Sequence, residues 1–79
     1  METTEIQIIQ AIAEYLGLSP EDLDRHALLQ EELNLGPIEL NDLLLNLSQR
    51  FSITFKPDEV RDLKKVDDLI VLIEDNFLD

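Results

Sequence analysis

Apolar side chains return at helical spacing in three separate stretches of this chain, and turn-forming residues stand between the stretches. Ile9, Ile12, Ala13 and Leu16 fall at i, i+3, i+4 and i+7. Leu40, Leu43, Leu44, Leu47 and Phe51 carry the same series to i+11, and Val66, Leu69, Ile70, Ile73 and Phe77 repeat it near the end. A period of 3.6 residues lines such positions up on one helix face, whereas a half-buried strand needs strict alternation, which no segment shows. The chain therefore reads as all-α. At 79 residues it makes one domain spanning 1–79, and with no Cys its core alone must hold the fold. The 44% hydrophobic content is enough to build that core.

Turn and cap residues set the boundaries. Thr4 followed by Gln7 fits a capping box, and Gly17 stands where a left-handed C-terminal cap belongs, so a first helix is expected from about Glu5 to Leu16. Ser19-Pro20-Glu21-Asp22 reads as an N-cap, a proline at the first helical position and acid in the first turn, opening one short turn. From Asp24 to Gly36 the periodicity fails, yet Leu28, Leu29, Leu33 and Leu35 must be buried, which describes a long connection pinned to the bundle. Pro37 can open the second long helix, because the N–H it lacks would have no helical partner there. An apolar connector, Ser52 to Phe55, leads to a brief helix at Pro57-Asp58-Glu59-Val60, and the last helix begins near Val66.

Charge narrows the choice of partner. Eighteen acidic against six basic residues give a net charge of -12, which repels nucleic-acid phosphates and anionic lipid headgroups. A protein with a basic patch is the expected partner. No apolar run approaches the length of a membrane span, and the opening METTEIQ has no basic start of a signal peptide. A soluble, cytoplasmic monomer is the expectation.

The middle of the chain, Glu31-Glu32-Leu33-Asn34-Leu35-Gly36-Pro37-Ile38-Glu39-Leu40-Asn41-Asp42-Leu43 and on through Leu47 to Phe51, resembles the signature region of acyl carrier proteins. That family typically shows Leu-Gly-x-Asp-Ser-Leu, then an acidic residue and leucines entering a helix that ends in Phe. The early Leu16-Gly17, the connector Phe51-x-Ile53-x-Phe55-x-Pro57-Asp58-Glu59 and the opening of the last helix extend the resemblance over nearly the whole chain. It implies an all-α four-helix bundle, three helices long and one short, with a long loop between the first two long helices. It also implies an acyl group carried as a thioester on a phosphopantetheine arm, attached to a serine at the start of the second helix. In this chain that position is Pro37, flanked by Gly36 and Ile38, and a proline has no hydroxyl to form the phosphodiester. Ser19 reads as an N-cap, Ser48 is deep in the second helix and Ser52 lies beyond its end. No cofactor is therefore expected.

On a wheel of 100° per residue, Ile38, Asp42, Leu45 and Gln49 fall opposite the Leu40–Phe51 stripe, with Glu39 beside them. Two aliphatics and two carboxylates on an outer face suit partner binding, and the resembled family docks its enzymes with this same helix face. The helix departs from the family in ending Ser48, Gln49 and Arg50 rather than in acid, which suggests a changed partner. His26, the one histidine, reads as a solvated loop residue, and Asp22/Asp24 and Glu31/Glu32 as solvated carboxylates rather than a cation site, since no calcium-loop spacing surrounds them. Tyr15 and the three phenylalanines read as core or helix-end packing. With no phosphate loop, paired-histidine helix or nucleophile set, no catalytic residue and no enzyme activity are expected.

Three functions remain open on the sequence. One is a non-enzymatic carrier-fold module that has lost its attachment site and acts through protein contacts. Another is a working carrier that uses a different hydroxyl or holds its ligand non-covalently. The third is a small acidic inhibitor of a basic enzyme, for which the net charge supplies steering.

Overall fold

The computed structural model describes residues 3–77, and among them lie three long helices and a short one. Helix α1 spans Thr4–Leu16, α2 Pro37–Phe51, α3 Pro57–Arg61 and α4 Val66–Phe77, with a 3-10 turn at Pro20–Asp22 between α1 and the long connection. This is the all-α bundle expected from the apolar periodicity.

The apolar stripes of α2 and α4 point where their spacing requires, whereas on α1 the buried set is Ile8, Ala11, Ile12 and Ala13, and Ile9 and Leu16, which the spacing assigns to the stripe, are only half-buried. Ile8 and Ile12 from α1, Leu43 and Leu47 from α2, and Val66, Leu69, Ile70 and Ile73 from α4 are fully buried and form one core. Each such side chain removed from water contributes about 1.5–3 kcal/mol, and their number is what holds together a chain with no covalent staple. The Phe77 side chain, which the periodicity assigns to the same stripe, lies outside the described part of the structure.

The helix ends differ from expectation in two places. Thr3, not Thr4, caps α1: its backbone is extended, and its Oγ1 accepts the Ile6 N–H at 3.2 Å. Ser19 holds the N-cap position of the 3-10 turn, but its hydroxyl makes no capping bond; its carbonyl accepts the Asp22 N–H instead, at 2.9 Å. Gly17 closes α1 at φ 74°, a backbone state that only glycine enters without penalty, and the Leu18 N–H returns to the Ala13 carbonyl at 2.8 Å. Ser52 closes α2 in the same left-handed region, at φ 55°.

The long connection is pinned, as its leucines demand. Leu29 and Leu35 are buried, and Leu28 and Leu33 are half-buried. Its backbone docks on the segment that leads into α4: the Leu29 N–H reaches the Lys64 carbonyl at 2.8 Å, and the Ala27 and Arg25 carbonyls accept the Val66 and Asp67 N–H groups at 3.0 and 2.8 Å. Arg25 fastens both ends of this join. Its Nη1 donates to Glu5 Oε1 at 2.6 Å, and its Nε and Nη2 donate to Asp67 Oδ1 at 3.1 and 2.6 Å, tying the connection to α1 and to α4. Together these bonds hold residues 25–29 of the connection against α1 and the start of α4.

Candidate functional site

The site begins where α2 begins. Gly36 sits at the N-cap with no side chain to cap with, and Pro37 occupies the first helical position, where its missing N–H leaves no bond unmade. Glu39, in the first turn, folds its carboxylate back toward the helix start, so that a Cβ on Gly36 would lie 2.8 Å from Glu39 Oε2. A carboxylate there is favoured by the exposed N–H groups and the positive end of the helix dipole.

Along α2 the two faces separate as the wheel predicts. Leu40, Leu43, Leu44, Leu47 and Phe51 are buried. Ile38 is 82% exposed and Leu45 53%, and Glu39, Asp42 and Gln49 are exposed around them. An isoleucine exposed to that degree at a helix start contributes nothing to the core, and with Leu45 two turns on it forms an apolar ridge bordered by acid.

Asp42 also does something the sequence did not suggest. Its Oδ2 accepts the Tyr15 hydroxyl at 2.8 Å, and the same hydroxyl lies 3.3 Å from the Glu39 carbonyl. The hydrogen bond to Asp42 holds the Tyr15 phenol above its ordinary pKa, and burial and the Asp42 and Glu39 charges push the same way. Tyr15 is thus a strut between α1 and the outer face of α2 as well as a packing residue; a lone tyrosine in an apolar stripe gives no sequence signal of a bond 27 residues away. Arg50, which breaks the acid run of α2, pairs with Glu14 of α1 at 3.3 Å, so part of its charge is turned inward from the face. Both partners are well exposed, and such a pair is worth little in stability, about 0–1 kcal/mol.

Beside this ridge runs a groove between α2 and α3 of about 520 Å³, with Leu44, Leu45, Phe55, Pro57 and Val60 in its walls and Asn41, Ser48, Thr54 and Arg61 among them. A neighbouring hollow of about 310 Å³ shares Asn41, Leu44, Val60 and Arg61 with it and reaches back to Pro37 and Gln30. Leu45 belongs both to the ridge and to the groove. Helical periodicity locates each apolar residue on its own helix but not the gap between two helices, which is why the groove was not legible in the sequence.

Of the remaining sequence candidates, Glu31 lines a hollow with Gln30 and Arg61, and Glu32 Oε1 accepts the Leu28 N–H at 3.0 Å. His26 is exposed, and its backbone N–H bonds Asp24 Oδ1 at 2.9 Å. No group of three or more His, Asp or Glu side chains able to hold a metal ion occurs among the described residues. No described helix is long and apolar enough to cross a membrane.

The sequence profile of the family described as phosphopantetheine attachment site matches residues 7–73, which takes in α2 and α3 and most of α1 and α4. The chain belongs to the acyl carrier protein family. An acyl carrier protein of Chlamydia trachomatis serovar L2 is 31% identical over 65 residues, covering 82% of this chain and 84% of its own. One from Exiguobacterium sibiricum is 29% identical over 69 residues, covering 87% of each chain, and one from Porphyromonas gingivalis is 24% identical over 77 residues, covering 98% and 99%.

Membership corrects one expectation. The absence of a cofactor was inferred from Pro37 and from the placement of Ser19, Ser48 and Ser52, but the matched family is described by its phosphopantetheine attachment site, so that prosthetic group belongs to the chemistry of the frame this chain shares. The residues at the start of α2 do not themselves fit covalent attachment: Gly36, Pro37 and Ile38 offer no side-chain oxygen. Ser48 and Thr54, which carry hydroxyls, line the groove whose neighbouring hollow reaches back to Pro37.

Proposed function

We propose that this acyl-carrier-protein-like chain is a non-enzymatic module of acyl metabolism that works by presenting the outer face of α2 to a protein partner bearing a basic patch. Ile38 and Leu45 are the anchors, Glu39 and Asp42 set the charge, and Gln49 extends the contact. The observation that carries this reading is the 82% exposure of Ile38 beside two carboxylates on a helix whose other face is wholly buried. Burying such an aliphatic in a partner's pocket gains transfer free energy that the folded monomer forgoes, and the acidic border favours a basic counterpart through faster, salt-sensitive association. The reading does not depend on where an arm is attached.

The test compares baits. The wild-type chain, Ile38→Glu and Leu45→Glu are each used for affinity capture from the native host's lysate at low salt, with helicity checked by circular dichroism. The expected result is recovery of acyl-metabolism enzymes by the wild type and a loss of roughly tenfold or more with either variant, at unchanged helicity. Equal recovery by all three baits would contradict the reading.

A second reading is favoured by the groove: an apolar cleft of about 520 Å³ that holds two hydroxyls has room for an acyl chain, attached elsewhere than Pro37 or held non-covalently. Under this reading, protein isolated from its native host and extracted with solvent releases one acyl ligand per chain by mass spectrometry. An empty extract from intact protein would count against it. The acidic-inhibitor reading rests on net charge alone.

A further inference from the structure

A separate groove lies between α3 and α4, about 340 Å³ in volume, and it shares no residue with the outer face of α2. Leu63, Val71 and Leu72 supply its apolar surface, and Glu59, Asp62, Asp68 and Asp75 its polar one. Val71 is 45% exposed, on a helix whose Val66, Leu69, Ile70 and Ile73 are fully buried, so it lies outside the core stripe. The grooves along α2 and beside Gln30 each take Arg61 into their walls, whereas here the charged lining is entirely anionic. Two of its carboxylates are fixed in place: Glu59 Oε1 accepts the Lys56 N–H at 3.1 Å, and Asp68 Oδ2 accepts the N–H groups of Lys64 and Lys65 at 3.1 and 3.0 Å.

We propose that this groove docks a cationic amphipathic segment of a partner protein, with one aliphatic side chain on Leu63, Val71 and Leu72 and flanking Lys or Arg side chains on the four carboxylates. Charge selects the occupant. A neutral apolar segment would strip water from four carboxylates, of which Glu59 and Asp68 would keep only their backbone N–H bonds, at a cost that apolar contact over so small a surface does not recover. A second copy of this chain, or an anionic membrane, would meet a net charge of -12 with charge of the same sign. Since the two surfaces share no residue, the chain can hold one protein on α2 and another on α3–α4, acting as an adaptor. This goes beyond the α2 reading and stands without it.

The test uses the full chain and a fluorescein-labelled synthetic helix of about 18 residues, five turns, with Leu at i, i+3 and i+4 spacing and Lys elsewhere. A scrambled peptide of identical composition is the control for plain charge attraction. Binding is followed by anisotropy, and the contact is mapped by amide shifts of the ¹⁵N-labelled chain. The expected result is shifts centred on Leu63, Val71 and Leu72, with roughly tenfold or greater weakening for the scrambled peptide and for Val71→Lys. Gln7→Lys, which changes net charge equally at an exposed position of α1 outside both surfaces, leaves affinity unaltered. If Val71→Lys fails to fold, the exposed pair Asp62→Lys/Asp75→Lys carries the same expectation. Equal affinity for both peptides, equal weakening by Gln7→Lys, or shifts centred on α2 would overturn the proposal.

Discussion

Asp68 shows how much of this fold depends on single polar contacts at helix ends. It stands at the third position of α4 and reaches back to the N–H groups of Lys65 and Lys64, two donors that the start of a helix leaves without partners. The bond from the Lys65 N–H, more than any other contact, holds the Asp68 carboxyl below its ordinary range; the Lys64 N–H and the two lysine charges add to this, and burial opposes them. A carboxyl whose native pKa is depressed stabilises the fold fully above its unfolded value, about 3.9, and loses that contribution as pH falls through the native one. Asp68→Ala is therefore expected to lower stability at neutral pH by about 1 kcal/mol, measured by urea denaturation, and the difference from wild type should shrink below about pH 4. A difference that persisted unchanged into acid would contradict the role given to the ionised carboxylate. Pro37 presents the converse case, a residue whose chemistry is defined by what it lacks. If it occupies the family's attachment position, Pro37→Ser restores a hydroxyl at the first turn of α2. Incubated with coenzyme A and a broad-specificity transferase, the serine chain should exceed the wild type, beyond the substitution itself, by the mass of one phosphopantetheine. An excess accounted for by the substitution alone would show that the position is misassigned.

At the scale of elements, α2 joins the core to the surface. Its buried stripe was legible residue by residue, because Leu40, Leu43, Leu44, Leu47 and Phe51 leave no other way to form a helix and bury apolar groups. The exposure of Ile38 and Leu45 followed from the same wheel, since seven residues bring a helix almost back to the same face. The contacts between elements were not legible. Nothing in the sequence near Tyr15 indicates that its hydroxyl meets Asp42, or that Arg25 joins Glu5 to Asp67, because such pairs depend on how helices pack rather than on how each one forms. The cap of α1 was misplaced by one residue for a related reason: adjacent Thr3 and Thr4 are equivalent as sequence, and only the geometry selects Thr3; Ser19 holds the expected N-cap position of the 3-10 turn but without a side-chain bond. The Tyr15 strut carries its own pH signature. Because the native phenol is raised above its usual value of about 10, the folded chain keeps a proton that the unfolded chain releases, so its contribution is complete below that pH and declines as pH rises through the raised value. Tyr15→Phe should abolish this alkaline decline in a pH series of thermal melts. A variant that declined in parallel with wild type would show that the strut does not form.

Across the whole molecule, charge and shape point to the same use. A net charge of -12 on 79 residues repels itself, so raising ionic strength from about 0.01 to 0.15 M, which shortens the screening length from about 30 to 8 Å, should raise the melting temperature. A fall would mean that attractive pairs such as Arg25 with Glu5 and Asp67 outweigh the repulsion. The same screening should slow association with a basic partner, so stability and binding are expected to respond to salt in opposite directions. The long connection fits this picture: pinned to α4 by its backbone and by Arg25, it leaves the ridge of α2 uncovered. The most direct measurement is an amide shift map of the ¹⁵N-labelled chain titrated with the partner that the wild-type bait recovers. The account predicts that the largest changes fall on Ile38, Glu39, Asp42, Leu45 and Gln49. Changes centred on α1 or on the connection, with the α2 face unmoved, would contradict it.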